Sequence, residues 1–404
     1  MADHIKGYLR LLKQPIMEPK PGTRKQHVDF LRGIAMTGVV LANFNGYVEQ
    51  QIPGDILHQR TSIIDQSLMT FNTVFLEWKF MTLFSILFGY GFGVIMSNQE
   101  NGGLSRNLFF IRRMFWLFIM GTIHTLFWNL DVLHLYAVSG ILLLFFQTVP
   151  TPRLLLFAMI LMFVPTCVML LMPPSPTSPD VAMALYQSLI APDLSTLIKG
   201  NVEAYYHMFI ASGADLHDVF ESLGKFLLGL WLLKSGFLER LSADSKKQLH
   251  YIAILAFPVA LYWWIRWMLC VDSPWLPAGV PWKPLLKAGV LLNTLLYACI
   301  GLQVYLKFRS MPAVQRLVFL GKMTLTNYLL VSVFMITVLY GIGLGLLDQI
   351  SISQIWLMAV GFVVLALYGS EKWLTMFKYG PAEWIWRQLS WNKRLPLLRQ
   401  KTID

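Results

Sequence analysis

Charged residues are scarce in this chain. Asp, Glu, Lys and Arg together make up 14% of its 404 residues, whereas hydrophobic residues make up 56%. That balance, with a mean hydropathy of +0.55, excludes a string of soluble domains. Many apolar runs reach the ~20 residues that a helix needs to cross a hydrocarbon core. The sequence therefore predicts an all-α, polytopic membrane protein.

Cysteine is also rare, since the chain has only three, Cys167, Cys270 and Cys299. They lack the spacing of a metal site, and an odd number in apolar segments argues against a disulfide scaffold. On this basis no metal is expected. A phosphate-binding GxxxxGK[ST] motif is absent as well, which argues against an ATP-driven pump. Because no cleavable signal pattern precedes the first apolar run, that run is expected to remain as a helix.

Ten apolar segments are read as membrane-crossing helices in one bundle over residues 28–373. They lie at 28–48, 71–97, 109–129, 131–149, 153–173, 216–235, 248–269, 284–306, 322–346 and 352–372. Residues 1–27 precede them, and residues 374–404 mix Trp with basic residues as an interfacial helix does. A long loop at 174–215 is either a cap over an outer cavity or an inert connection.

The charge distribution predicts an orientation. The net charge of +11 is better explained by loops facing anionic lipid than by nucleic acid, so no nucleic-acid partner is expected. With the N-terminus inside, the outer side holds only Arg60, Lys199, Arg266, Lys283 and Lys287. Both termini are therefore predicted to be cytoplasmic.

Three ionisable residues interrupt two apolar segments in HTLFWNLDVLHLYAVSG, namely His124, Asp131 and His134. From the helical rise of about 1.5 Å per residue, they lie in the outer half of the bundle, as do Asn43 and Lys79. Intramembrane ionisable groups are costly and typical of functional sites. Each also has a structural explanation, as a helix cap, an interhelical hydrogen bond or an ion pair.

A second polar layer is predicted near the cytoplasmic face. Asp29 and Arg32 are one helical turn apart at the start of the first segment, where a structural ion pair is the alternative explanation. Topology brings further residues to the same side, and the set is completed by Arg112, Arg113, Lys322 and Asn327. A function that uses both layers is therefore expected.

Several motifs resemble those of a known family. The stretches DFLRGIAMTGVVLANF, KFMTLFSILFGYGFG, GTIHTLFWNLDVLHLYAVSG, GKMTLTNYLL and GPAEWIWRQLS occur in this order. They are similar to the signature blocks of the YeiB-like bacterial inner-membrane proteins, a domain-of-unknown-function family. More distantly, the opening D-x-L-R-G resembles heparan-α-glucosaminide N-acetyltransferase and other transmembrane acyltransferases.

The resemblance implies a transmembrane acyltransferase of the bacterial inner membrane. Its donor would be cytoplasmic acetyl-coenzyme A or another acyl-coenzyme A, and its acceptor, at or beyond the outer leaflet, a sugar, lipid or small molecule. The candidate catalytic residues are His124, Asp131, Lys79, Asn43 and His134. The candidate donor-binding residues are Asp29, Arg32, Arg112, Arg113, Lys322 and Asn327. At His134 the chain departs from the commoner apolar residue of the family.

Two further points stay open from the sequence. Intramembrane His and Asp residues also suit a proton-coupled transporter of a small solute or lipid. The two halves of the chain show no matching broken helices of the kind that mark inverted-repeat carriers, which favours the enzyme. The bilayer and the acyl donor are the expected partners, and a homodimer is left open.

Overall fold

A computed structural model describes residues 25–97, 103–171, 179–270 and 282–399. The regular secondary structure of these residues is helical, as predicted. Within them, extended pairing is confined to one antiparallel bridge, Phe377 to Leu398. The N-terminal segment 1–27 lies almost entirely outside the described residues, as do residues 174–178 of the predicted outer loop.

Seventeen α-helices follow one another along the described residues. The first nine are α1 Gln26–Glu49, α2 Gly54–Arg60, α3 Ile63–Phe71, α4 Lys79–Ser97, α5 Gly103–Thr125, α6 Leu133–Leu143, α7 Thr151–Leu171, α8 Pro179–Ile190 and α9 Leu194–Tyr205. The others are α10 Ala214–Ser235, α11 Phe237–Ser242, α12 Ser245–Cys270, α13 Trp282–Phe308, α14 Pro312–Lys322, α15 Thr324–Leu339, α16 Ile352–Met376 and α17 Pro381–Trp391. Short π turns follow α3 and α9.

Long apolar helices make this a multi-pass membrane protein. By length and composition five described helices can cross a bilayer, Ile63–Ser97, Thr151–Val168, Ser245–Leu269, Pro284–Phe308 and Ile352–Met376. A sixth is present if α14 and α15, bent by 84° at their junction, form one broken span. Each of the ten predicted segments overlaps a helix, but the number of spans and the orientation stay predictions.

Helix packing brings the predicted polar blocks together. Helix α10 packs against α4 and α7, and α1 packs against α14. At the second contact a Cβ added to Gly33 would lie 2.0 Å from the Leu317 carbonyl oxygen, and one on Gly321 would lie 1.8 Å from that of Asp29. Only glycine permits such close backbone approach. The Asp29–Arg32 block therefore lies directly against the block that begins at Gly321.

Candidate functional site

A tight helical hairpin carries the three ionisable residues of the predicted outer layer. Helix α5 ends at Thr125 and α6 begins at Leu133, and in the turn between them the Asp131 N–H donates to the Trp128 carbonyl at 3.2 Å. A Cβ on Gly121 would lie 2.3 Å from the backbone nitrogen of His134, so the two helices touch through this glycine. The hairpin returns the chain to the level of His124, and the structure thus brings His124, Asp131 and His134 together.

The Asp131 carboxylate is the centre of this site and is 2% exposed. It lies 2.7 Å from Nδ1 of His124 and accepts from the Tyr328 hydroxyl and the Leu133 N–H, both at 2.9 Å. His134 Nδ1 lies 3.4 Å from Oδ2 of Asp131, the oxygen that also accepts from Leu133. A carboxylate that accepts from several donors is held as an anion. Asp131 thus accepts from the first N–H of α6, one residue before the N-cap Val132, and also orients His124.

His124 has one occupied ring nitrogen and one without a partner. Because a carboxylate anion only accepts, Nδ1 of His124 donates to Asp131, and the neutral ring carries its lone pair on Nε2. That Nε2 atom is buried and has no hydrogen-bond partner among the described residues. An oriented imidazole with a free Nε2 has the arrangement of a general base.

The outer segment covers the hairpin. Tyr205, the last residue of α9, lies with its hydroxyl 2.7 Å from Nε2 of His134, and that hydroxyl donates to the carboxylate of Asp215. Nearby, the Asn129 N–H donates to the side-chain oxygen of Asn201 at 3.1 Å. The described part of residues 174–215 thus contacts the hairpin, while its role as a cap over an outer cavity stays a prediction. Sequence reasoning placed neither Tyr205 nor Asp215 in the site.

For two other predicted catalytic residues the structure gives burial and some local contacts. Lys79 is 1% exposed, donates to the Thr73 carbonyl at 2.6 Å and lies 5.3 Å from the centre of the Tyr262 ring. Asn43 is partly exposed on α1. Glu77, two residues before Lys79, pairs with Arg266 at 3.1 Å. Catalytic roles for Lys79 and Asn43 stay predictions.

Three arginines from separate helices converge on the other predicted layer. The charges of Arg32, Arg387 and Glu383 all act on Arg113, whose guanidinium carbon lies 3.5 Å from the centre of the Trp386 ring. Arg32 also lies 3.4 Å from Asp29 and donates to the Leu87 carbonyl at 3.3 Å. The predicted gathering of basic residues is thus present for Arg32 and Arg113, with Arg387 as an unforeseen third.

The other predicted donor-binding residues have local contacts. Asn327 donates to the Met323 carbonyl at 2.8 Å and to the Ser370 hydroxyl at 3.1 Å. The Lys322 ammonium lies 5.3 Å from the centre of the Phe319 ring, and Arg112 is partly exposed. Their part in binding a donor stays a prediction.

Comparisons with known proteins agree with the sequence motifs. A family profile described as "Protein of unknown function (DUF418)" matches residues 232–393. An uncharacterized 39.9 kDa protein from Bacillus acidopullulyticus is 28% identical over 93% of this chain and 96% of its own length. The uncharacterized YxaH of Bacillus subtilis is 25% identical over 93% of this chain and 96% of its own. The uncharacterized YeiB of Escherichia coli is 25% identical over 91% of this chain and 96% of its own.

The resemblance to YeiB-like proteins is confirmed. The chain also holds an ionic cluster that sequence reasoning missed, on one face of α10 at spacings of four residues. Glu221 pairs with Lys225 at 2.7 Å and with Lys287, and Lys287 donates to Nε2 of His217 at 3.1 Å. Nδ1 of His217 lies 2.8 Å from Asp218.

This cluster includes a set of possible metal ligands. Ligand atoms of His217, Asp218 and Glu221 lie within 4.8 Å of one another. However, the Lys287 ammonium already contacts both His217 and Glu221, and a second cation would meet its charge there. The cluster is therefore an ion-pair network that joins α10 to α13. The free nitrogen of His124 distinguishes the hairpin site from it.

Proposed function

We propose that this protein is a transmembrane acyltransferase of the bacterial inner membrane, with ten spans and both termini in the cytoplasm. It moves an acyl group, acetyl in the simplest case, from cytoplasmic acyl-coenzyme A to an acceptor at or beyond the outer leaflet. One observation supports the proposal above all. The His124 imidazole is oriented by Asp131 at 2.7 Å, and its buried Nε2 has no hydrogen-bond partner within the part of the chain that the structure describes.

The chemistry follows from that geometry. Nε2 of His124 takes the proton from an acceptor hydroxyl or amine as its oxygen or nitrogen attacks the thioester carbonyl carbon. The new bond gives a tetrahedral intermediate, which collapses as the carbon–sulfur bond breaks and coenzyme A leaves as a thiolate. The proton on His124 then passes to that sulfur, which restores the neutral imidazole. Asp131 stays ionised throughout and stabilises the transient imidazolium.

Binding of the donor is assigned to the arginine cluster. Coenzyme A carries phosphates, and guanidinium groups make forked, charge-assisted hydrogen bonds to phosphate oxygens. The positive charges of Arg32 and Arg387 both act on Arg113, while Glu383 acts on it with the opposite sign and Asp29 pairs with Arg32. Arg112 and Lys322, the sequence neighbours of Arg113 and Gly321, are assigned to the same donor-binding role on the side that the charge distribution predicts to be cytoplasmic.

A proton-coupled transporter is the second candidate, and one feature of the site favours it. The hydrogen bonds from His124 through Asp131, His134 and Tyr205 to Asp215 form a continuous chain of groups that exchange protons. Such chains occur in pumps and transporters. Here this series of hydrogen bonds joins α5 to the start of α10.

A ligand-stabilisation experiment separates the two functions. Acetyl-coenzyme A should raise the melting temperature of the purified protein, because a ligand that binds only the folded state stabilises it. Arg113→Gln should abolish the rise, whereas Arg153→Gln, at an exposed arginine of α7, should leave it unchanged. No shift with any acyl-coenzyme A, together with solute-driven proton flux in liposomes, would support the transporter and overturn the enzyme.

A further inference from the structure

His134 is the least expected member of the site, and it lies between two carboxylates. Its Nδ1 is 3.4 Å from Oδ2 of Asp131, and its Nε2 is 2.7 Å from the Tyr205 hydroxyl. Tyr205 in turn contacts the Asp215 carboxylate. Two imidazoles, those of His124 and His134, therefore share the Asp131 carboxylate.

The proton on Nδ1 of His134 is fixed by its surroundings. Thr125 is the other polar neighbour of Nδ1, at 3.4 Å, but its hydroxyl proton is directed to the Gly121 carbonyl at 3.0 Å. Both neighbours of Nδ1, the Thr125 oxygen and the Asp131 carboxylate, are thus acceptors. Nδ1 carries a proton, and only the state of Nε2 is left to vary.

For Nε2 of His134, the Tyr205 hydroxyl and the Asp215 carboxyl, two arrangements of protons give each donor an acceptor. In one, His134 is cationic, its Nε2–H donates to the Tyr205 oxygen, and Tyr205 donates to an ionised Asp215. In the other, a protonated Asp215 donates to the Tyr205 oxygen, and Tyr205 donates to a neutral Nε2. Two protons move between these states, from carboxyl to phenol and from phenol to imidazole. No heavy atom has to move, and the total charge is unchanged.

The charge on His134 has a direct effect on its neighbour. When His134 is neutral, the negative charge of Asp131 acts on His124 without compensation and strengthens its hold on a proton. When His134 is cationic, that charge is neutralised and His124 becomes a weaker base. At the far end of this series of hydrogen bonds, the negative charge of Asp218 acts on Asp215 and opposes its ionisation.

We propose that Tyr205 and Asp215 are positioning residues that set the proton affinity of His124 through the charge on His134. The proposal deepens the proposed function, since it describes how the outer cap controls the base. Docking of α9 supplies the phenol and the start of α10 supplies the carboxylate. The cap is therefore part of the proton-handling chain and covers the hairpin as well.

The test follows protons on the full-length protein and needs no acceptor. Nitrogen-15 NMR of histidine-labelled protein in lipid nanodiscs reports the protonation of each ring nitrogen against pH. Tyr205→Phe and Asp215→Asn should lower the cationic fraction of His134. In either variant His124 should also keep the proton on its Nε2 up to a pH at least about one unit higher than in wild type, because a nearby positive charge has been removed.

Control variants separate the relay from general effects of structure and charge. Tyr206→Phe, at the adjacent and 52% exposed ring, should leave both histidines unchanged. Asp218→Asn removes a charge without breaking the chain, so its effect on His124 should be smaller than that of Asp215→Asn. The proposal is overturned if His124 titrates alike in wild type and in the folded Tyr205→Phe and Asp215→Asn variants. It is also overturned if Asp218→Asn changes the titration of His124 as much as Asp215→Asn does. Coupling of the two histidines without any response to acyl-coenzyme A would support the relay and count against the acyltransferase.

Discussion

Arg113 and Trp386 lie 273 residues apart in the chain and contact each other in two ways. The guanidinium carbon of Arg113 is 3.5 Å from the centre of the Trp386 ring, and the indole N–H donates to the Arg113 carbonyl at 2.8 Å. A cation over an aromatic face and a backbone hydrogen bond thus attach α17 to α5. The C-terminal helix is docked on the bundle beside the arginine cluster.

A carboxylate of the same helix should contribute to stability. Glu383 accepts from the Leu325 N–H at 2.7 Å and the Thr326 N–H at 3.1 Å, two buried donors in the first turn of α15 that have no acceptor within that helix. Glu383→Gln removes the charge from these bonds and should cost about 1–2 kcal/mol of folding free energy. Thermal unfolding in detergent would measure the loss. Glu203→Gln, at an exposed position of α9, serves as the control, and equal stability of the two variants would contradict the prediction.

The pair formed by His124 and Asp131, called the dyad below, should control the chemical step of the proposed reaction. His124→Ala and Asp131→Asn should slow release of the coenzyme A thiol from acetyl-coenzyme A by about 10²–10⁴-fold, the usual contribution of a general base. His207→Ala, at an exposed histidine of the outer segment, should leave the rate unchanged. The measurement is a thiol-reagent assay on proteoliposomes, with melting curves to show that each variant is folded. Wild-type rates in both folded dyad variants would exclude His124 as the base.

An ion pair beside the first helix gives a prediction about pH. Burial alone would lower the pKa of Lys25, but hydrogen bonds to Glu239 and Tyr90 outweigh it and raise the pKa above its ordinary 10.5. Burial likewise opposes ionisation of Glu239, yet its bonds to the same two groups lower its pKa below the ordinary 4.5. Glu239 thus stabilises the fold above its ordinary pKa and loses that effect as pH falls through the lower, folded value. Lys25 loses its effect only at strongly alkaline pH.

The expected result is a pH-dependent difference between two proteins. Glu239→Gln should be less stable than wild type at neutral pH by at most about 1 kcal/mol, since the pair is partly exposed and screened. The difference should shrink as the pH falls below about 4, because the wild-type carboxylate then becomes protonated. Chemical denaturation at several pH values would measure it. A difference that is constant from neutral pH to pH 3 would show that the charge of Glu239 has no part in it.

The helical class and the hairpin could be predicted from sequence because both depend on local pattern. Apolar length fixes a spanning helix, and the short turn between His124 and Asp131 forces the chain back to the same depth. Sequence gives depth along a helix but not rotation about its axis or the choice of neighbour. For that reason Lys79, at a similar predicted depth, has its described contacts with Thr73 and Tyr262 instead.

Partners far apart in sequence could not be foreseen for the same reason. Tyr205 reaches His134 from a segment 71 residues away, and Arg387 joins Arg113 only through the docking of α17. No periodicity or spacing encodes these pairings, because they arise from how separate helices pack. The one local signal that went unused was the spacing of His217, Glu221 and Lys225 on a single face of α10.

The 84° corner between α14 and α15 separates two attachments of very different kind. On one arm, Gly321 is wedged against the backbone of Asp29, so that arm cannot slide on α1. On the other arm, Tyr328 reaches out and holds Asp131 by a single hydroxyl at 2.9 Å. Because these two attachments lie on opposite sides of the bend, any change in its angle would shift Tyr328 relative to Asp131 and remove one of the hydrogen bonds that the carboxylate accepts.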